Sequence, residues 1–326
     1  MKLVDGVLKG DRLLLARLLT EVENDTATGQ KALDMLFPYT GKATLVGVTG
    51  APGTGKSSLV NSLATAYRHP RPGSFPKRVA IVAVDPSSPF TGGALLGDRI
   101  RMRDLAGDPG VFIRSMSSRG HQGGLAQATN GLVQVLDAAG FELIMVETVG
   151  AGQAEVEVAR MAHTTLVVDA PGLGDEIQAI KAGILEAADI LVVNKADRPG
   201  VEQTEQNLRA MVEMSFVQRD PSERAGWTPP IVRTVAIRGE GLDELLNAIE
   251  RHTIYLRTSG RLTERERFQM ESDVAGRVKD LLFKKWHEKL SEDEYARIVE
   301  LVYQRKTSPH LAAVQLMEDP VEEHIT

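Results

Sequence analysis

The sequence predicts an α/β protein built on a doubly wound, mostly parallel sheet, and three observations carry that prediction. Between residues 41 and 256, short β-branched runs alternate with longer amphipathic ones, the rhythm that builds a parallel sheet. Several short runs are apolar on both faces, as strands covered by helices on each side must be. The first run opens into "GAPGTGKS", a glycine-rich turn that leads into helix-forming sequence. In such folds, ligands sit beyond the carboxyl ends of the strands.

The strand candidates are "ATLVGVTG" (43–50), "RVAIVAVD" (78–85), "VFIRS" (111–115), "FELIMVET" (141–148), "TTLVVDA" (164–170), "DILVVNKAD" (189–197) and "IVRTVAI" (231–237). Helical stretches such as "EIQAIKAGILEAA" and "GLDELLNAIERHT" lie between them, and "RHPRPGSFPKR" (68–78) reads as an exposed loop.

Both ends read as helical. Residues 1–40 form an amino-terminal extension in which Leu15, Leu18, Leu19 and Val22 are spaced for one helix face over 11–37, with Asp11 as its cap. Residues 257–326 form a helical arm, with Val274, Val278, Leu282, Trp286 and Leu290 recurring every fourth residue. Ser291 and Glu294 make a capping box for a second helix that runs through Tyr295, Ile298, Val299 and Val302 until Pro309. Neither end is long enough to make a core alone, so each packs on the central domain or on another subunit.

Composition narrows the function. The 326 residues are 42% hydrophobic and 25% charged, as in a soluble globular chain. Lysine and arginine number 38 against 44 acidic residues, a net charge of -6, so nothing in the bulk charge calls for nucleic acid or an anionic membrane as a partner. The absence of cysteine excludes disulfides, thiolate catalysis and thiolate metal sites. Asp5, Asp11 and Glu21 interrupt the first apolar stretch, and no later stretch reaches a membrane span, so a cytoplasmic location is expected.

Gly50 to Ser57 fits the phosphate-loop pattern of glycine, four residues, glycine, lysine, serine. Gly50, Ala51, Pro52, Gly53, Thr54, Gly55, Lys56, Ser57 and Ser58 are expected to line the phosphates. Their backbone N–H groups face the anion, Lys56 brings a point charge to the β and γ groups, and the Ser57 hydroxyl ligates Mg2+. The run "NKAD", Asn194 to Asp197, ends a later strand. A carboxylate there accepts from both N1–H and the N2 amine of guanine, whereas adenine would leave it desolvated and unpaired. GTP and GDP are therefore the expected nucleotides. Lys195 is placed along the base, and the backbone of Ala236 near the guanine oxygen.

Asp85, Asp98 and Glu147 are the acids expected to complete the metal and water shell, with Lys56 as the further catalytic group. Gly150 stands where a backbone N–H senses the γ-phosphate. Arg99, Arg101, Arg103, Arg114 and Arg119 crowd the same region, and one of them is a candidate internal finger.

With these pieces in order, the chain resembles the MeaB-type G proteins, also labelled ArgK in bacteria and MMAA in mitochondria. They are phosphate-loop GTPases of the SIMIBI class that act as chaperones of adenosylcobalamin-dependent methylmalonyl-CoA mutase. The resemblance is carried by "GVTGAPGTGKSSL", "VAVDPSSPFTGGALLGDRIRM", "FIRSMSSRGHQGGLAQAT" and "IMVETVGAGQAEVEVARMAHTTLVVDAPGLGDEIQAIKAGILEAADILVVNKAD". It implies metal and hydrolysis roles for Asp85, Asp98 and Glu147. It also implies a third switch segment around "APGLGDEIQAIKAG" that includes Lys181, and a homodimer made by the carboxyl-terminal arm. Val235 departs from the serine that relatives commonly carry before the base-contacting alanine, and Gln122 from a usually apolar residue.

The implied function is a slow GTPase whose nucleotide state gates cofactor loading, protection and repair of an adenosylcobalamin-dependent acyl-CoA mutase. One alternative is an ATP-dependent kinase serving amino-acid transport, which Asp197 opposes. A second is a metal-insertion GTPase, which the lack of cysteine and the 7 dispersed histidines oppose. A third, a non-hydrolysing binding module, would need a defective phosphate loop, and Lys56 and Ser57 are intact.

Overall fold

Seven parallel strands form one sheet in the computed structural model, in the order β3-β2-β4-β1-β5-β6-β7. The structure describes residues 2–86, 105, 107–118, 124–148, 153–172, 187–218 and 226–317. The chain divides into two compact units, Met1–Gln269 and Met270–Thr326.

In the first unit the strands are β1 (Thr44–Thr49), β2 (Val79–Pro86), β3 (Val111–Ser118), β4 (Leu143–Thr148), β5 (Thr164–Asp169), β6 (Ile190–Val193) and β7 (Ile231–Arg233). Every residue of β4 and β5 and all four of β6 are buried, which is why their sequences show no polar face. All seven expected strands are present, and those expected at 189–197 and 231–237 are the most shortened at the carboxyl end. The run at 189–197 leaves the sheet at Asn194 because Lys195 takes a left-handed turn at φ 57°. The run at 231–237 stops at Arg233, and Ala236–Arg238 form a single 3-10 turn.

Among the described residues, the helices of this unit are α1 (Lys2–Leu8), α2 (Arg12–Glu23), α3 (Ala27–Leu36), α4 (Lys56–Arg68), α5 (Gly124–Ala138), α6 (Gln153–Met161), α7 (Val201–Gln218) and α8 (Leu242–Thr258). Asp11 caps α2 as expected, its carboxylate accepting from the N–H groups of Leu13 and Leu14 at 2.9 and 3.0 Å. The expected continuous helix over 11–37 is instead two. Asp25 turns left-handed at φ 51°, and Thr26 starts α3 by accepting from the Gly29 N–H at 3.0 Å.

Two apolar layers enclose the sheet. On one side Leu15, Leu18, Leu19 and Leu36 share a core with Leu132 and Leu136 of α5 and with Ala80, Val82 and Ile144 of the strands. On the other, Leu59, Val60 and Leu63 of α4 and Leu245 and Ile249 of α8 cover Val46, Val48, Ile81 and Leu166. The amino-terminal helices thus belong to the sheet's own core. With β1 in the middle, the chain first winds to one side and then to the other, leaving the phosphate loop at the reversal.

A long helix, α9 (Arg261–Lys289), begins in the first unit and continues into the second, which also holds α10 (Glu292–Tyr303) and α11 (Pro309–Met317). Ser291 stands at the cap of α10 with extended backbone, but its hydroxyl makes no capping hydrogen bond, so the expected capping box is not closed. The second helix ends at Tyr303 rather than at Pro309, because Arg305 turns left-handed at φ 60°, and Pro309 opens a third. Within this unit an apolar groove of about 620 Å³ runs between Phe283, Trp286, Ile298, Val302 and Leu316. The Trp286 indole donates to the Leu316 carbonyl at 2.7 Å.

Candidate functional site

The loop between β1 and α4 is shaped by glycines that nothing larger could replace at two points. Gly50 has φ 135°, and a Cβ there would lie 2.1 Å from the Val168 carbonyl oxygen of β5. Gly55 caps α4 at φ 93°, and a Cβ there would lie 2.5 Å from the Asn194 Nδ2. These positions let the backbone turn its N–H groups toward the space at the start of α4, where the helix dipole also favours an anion.

Lys56 is buried, and its ammonium donates to the carbonyls of Gly50 and Ala51 at 2.7 and 3.0 Å. Thr54 is fully buried and ties the loop to itself through a 3.0 Å bond from its hydroxyl to the Ala51 carbonyl. Ser57 follows on the first turn of α4, and its hydroxyl donates to Oε1 of Glu147 at 2.5 Å. Glu147 lies near the end of β4, only 1% exposed. It faces Val48 of β1 and Ala83 of β2 in register. Asp85 stands two residues beyond Ala83, at the carboxyl end of β2. The sheet therefore brings the backbone of Asp85 beside the strand that carries Glu147. Asp98, Gly150 and Lys181 lie outside the described residues, as do Arg99, Arg101, Arg103, Arg119 and Gln122.

Glu155, in the first turn of α6, was not anticipated from the sequence. It is 1% exposed, burial pushes its carboxyl up from the ordinary value, and the charge of Lys56 opposes that rise. An amphipathic run such as "QAEVEVARM" does not reveal which of its acids turns inward, so no local signal marks it.

The second half of the site is the turn after β6. Asn194, 2% exposed, donates from Nδ2 to the Thr54 carbonyl at 2.8 Å. Its Oδ1 accepts from the Thr234 hydroxyl and the Ala236 N–H, each at 3.1 Å. One side chain thus joins the phosphate loop to the segment after β7. Lys195 reinforces the junction by donating from Nζ to the Gly53 carbonyl at 2.5 Å, and burial, together with the charge of Arg198, pushes its ammonium pKa down. The Ser62 hydroxyl of α4 holds the Ala236 carbonyl at 2.8 Å. Val235 is buried and pairs its N–H with the Glu240 carbonyl, so a valine at this position serves packing. Asp197 is partly exposed and lies 3.4 Å from the Arg238 guanidinium.

Arg114 does not approach the loop. It sits opposite Val82 in the middle of β3, where its guanidinium pairs with Glu23 and donates to the Thr20 hydroxyl of α2 at 3.2 Å. That commitment removes it from the candidate finger residues.

A parallel sheet with a phosphate loop at its winding reversal and a conjoined "NKAD" turn defines a phosphate-loop nucleotide-binding protein. Comparison with known proteins refines this. The family model described as methylmalonyl-CoA mutase-associated GTPase MeaB matches residues 15–291. A protein of Pyrococcus horikoshii that carries a provisional GTPase name is 45% identical over 317 residues, 97% of each chain. The mitochondrial methylmalonic aciduria type A homolog of Caenorhabditis elegans is 30% identical over 293 residues, 86% of this chain and 72% of that one. A solved structure described as a LAO/AO transport system kinase superposes with a TM-score of 0.68 at 28% identity, covering 97% of this chain and 95% of the other. The chain belongs to the MeaB family of GTPases. It is accordingly a guanine-nucleotide-binding protein that hydrolyses GTP.

Proposed function

We propose that this GTPase is a magnesium-dependent switch that gates cofactor loading, protection and reactivation of an adenosylcobalamin-dependent acyl-CoA mutase, methylmalonyl-CoA mutase first among them. The meeting of Lys56, Ser57 and Glu147 beneath one loop carries the nucleotide part of this reading. The family description and the name of the nematode relative support the mutase as partner.

In this reading the loop N–H groups from Gly50 to Ser58 hold the phosphates, and Lys56 exchanges the carbonyls of Gly50 and Ala51 for the β and γ oxygens. Asp197 reads the guanine edge, Lys195 lies along the ring, and the backbone of Ala236 stands near the guanine oxygen. A serine hydroxyl beside a buried carboxylate is an oxygen donor set suited to a hard cation, so the residues fit magnesium, held by Ser57 and Glu147 with Asp85 and Asp98. When bound, the metal neutralises charge on the β and γ oxygens. The carboxylates of Glu147 and Asp85 orient the attacking water, whose oxygen bonds to the γ-phosphorus in line as the bond to the β–γ bridging oxygen breaks, so that GDP leaves and the water's proton goes to the released phosphate. The Gly150 amide and Lys181 report the loss of that group to the partner. Intrinsic turnover is slow in this reading, because no side chain is an obvious strong general base, and the partner accelerates it.

We also propose a homodimer through the second unit. Val274, Val278 and Leu282 are 61%, 48% and 62% exposed on a single chain, although their spacing is that of a packed helix face. No helix among the described residues is long and apolar enough to cross a membrane.

The test is phosphate release from GTP by the purified protein, alone and with candidate adenosylcobalamin mutases. Acceleration by one mutase, together with binding that differs between GDP and a non-hydrolysable GTP analogue, is the expected result. No effect of any mutase would overturn the partner assignment. The kinase description of the solved relative motivates a second measurement. Label from the γ-position is expected in free phosphate, and label on protein would favour phosphoryl transfer instead.

A further inference from the structure

The 3-10 turn Ala236–Arg238 carries a side chain to which the nucleotide reading gives no task. The Arg238 guanidinium forms an ion pair with Glu240, Nε lying 2.9 Å from Oε1, and approaches Oδ2 of Asp197 at 3.4 Å with its terminal nitrogen. Glu240 is itself fixed, since its backbone carbonyl accepts from the Val235 N–H in an antiparallel bridge. Arg238 therefore places a charged contact between the turn after β6 and the loop after β7. The linkage is made at the carboxylate placed to read the base.

Stability does not account for this arrangement. The three side chains are 51%, 37% and 59% exposed, and ion pairs in that setting add roughly 0 to 1 kcal/mol to a fold. Asn194 already joins the same two segments from a fully buried position. What Arg238 adds is direction. A carboxylate offers about four acceptor sites on its two oxygens, and a guanidinium that attracts Oδ2 as a charge from 3.4 Å leaves them open to two donors from a base. It also restricts the free rotation that a half-exposed aspartate would otherwise have, and that entropy must be lost when both oxygens engage N1–H and the N2 amine in one plane. Desolvation by a bound base strengthens the Arg238–Asp197 attraction.

We propose that Arg238, anchored by Glu240, is a positioning residue for Asp197 and sets the protein's preference for guanine over bases that lack the 2-amino group. This rests on the reading of Asp197 as the guanine acceptor, and the test separates the two. Affinities for GDP, IDP and XDP are measured by titration on the full chain for the wild type and for Arg238→Met, Glu240→Gln and Asp197→Asn. Arg238→Met is expected to reduce the GDP-to-IDP affinity ratio about fivefold or more, a loss of about 1 kcal/mol of discrimination. Glu240→Gln should move the ratio the same way by less, and Arg238→Lys should restore part of it. Loss of loop order alone would weaken GDP and IDP equally, so an unchanged ratio in Arg238→Met overturns the inference. Asp197→Asn should shift preference from GDP toward XDP. If it does not, the guanine reading fails and the role of Arg238 falls with it; if it does while the Arg238 ratio stays fixed, only the inference about Arg238 fails.

Discussion

Asn194 donates its side-chain amide to the backbone carbonyl of Thr54 at 2.8 Å, across 140 residues of chain. A residue of the turn after β6 is thereby tied to the phosphate loop, and the same amide lies where a side chain at position 55 would fall. The phosphate loop and the "NKAD" turn are thus held in one geometry, and in the proposed site this lowers the ordering cost of binding.

Asn194→Ala removes that bond and leaves the Thr54 carbonyl, the Thr234 hydroxyl and the Ala236 N–H without their partner. Each buried polar group left unpaired costs about 1 to 3 kcal/mol. The expected outcome is a lower thermal midpoint and at least tenfold weaker GDP binding. Calorimetry showing wild-type values for both would remove Asn194 from the scaffold.

Lys56 is held by two loop carbonyls within a buried pocket. Lys56→Ala is expected to abolish measurable GTP and GDP binding while far-ultraviolet circular dichroism stays that of the wild type. Retained GTP affinity would displace the phosphate site from this loop.

Burial raises the Glu155 carboxyl above its ordinary value. A raised acid stabilises the fold fully below its unfolded pKa, and that contribution is lost as pH rises through the folded value, where the buried group must ionise. Glu155→Gln keeps the neutral shape at every pH. Its thermal midpoint is therefore expected to match the wild type in acid and to exceed it at neutral pH. A variant less stable than the wild type at neutral pH would show that the ionised carboxylate is needed.

Asp189 behaves oppositely. Burial pushes its carboxyl up, but the neighbouring His252 and the hydrogen-bonded Arg265 guanidinium outweigh this and hold it below the ordinary carboxylate range. It accepts from the Arg265 guanidinium at 2.7 and 3.0 Å and from the Thr165 N–H at 2.9 Å, which fastens the start of α9 to β5 and β6. Its stabilisation is present above the unfolded pKa and disappears as pH falls through the depressed folded value. Arg265→Met should cost about 2 kcal/mol at pH 7, less than for a fully buried pair because the guanidinium is 36% exposed. Urea unfolding should show the gap closing as pH falls, and a gap independent of pH would rule out the charge pair as its source.

Much of this was legible in the sequence because period and punctuation are local signals. Runs such as "TLVGVT" and "LIMVET" could only be buried strands, and Gly50, Gly55, Lys56 and Ser57 declare a phosphate loop by spacing alone. What stayed hidden depends on contacts between distant segments. The break at Asp25 follows from how α2 and α3 pack on α5, and Arg114 looked available until β3 aligned it with Glu23. The inward turn of Glu155 and the contact of Arg238 with Asp197 have no local signature, since charged residues at such positions are usually solvated.

The central claim is a pocket, built by the Gly50–Ser58 loop and the Asn194–Asp197 turn, that takes guanine nucleotides and refuses adenine ones. Calorimetric titration of the full chain with GDP and with ADP in magnesium buffer tests it most directly. Saturable heat with GDP and at least 100-fold weaker binding of ADP are predicted. Equal affinities, or no heat with GDP, would contradict it.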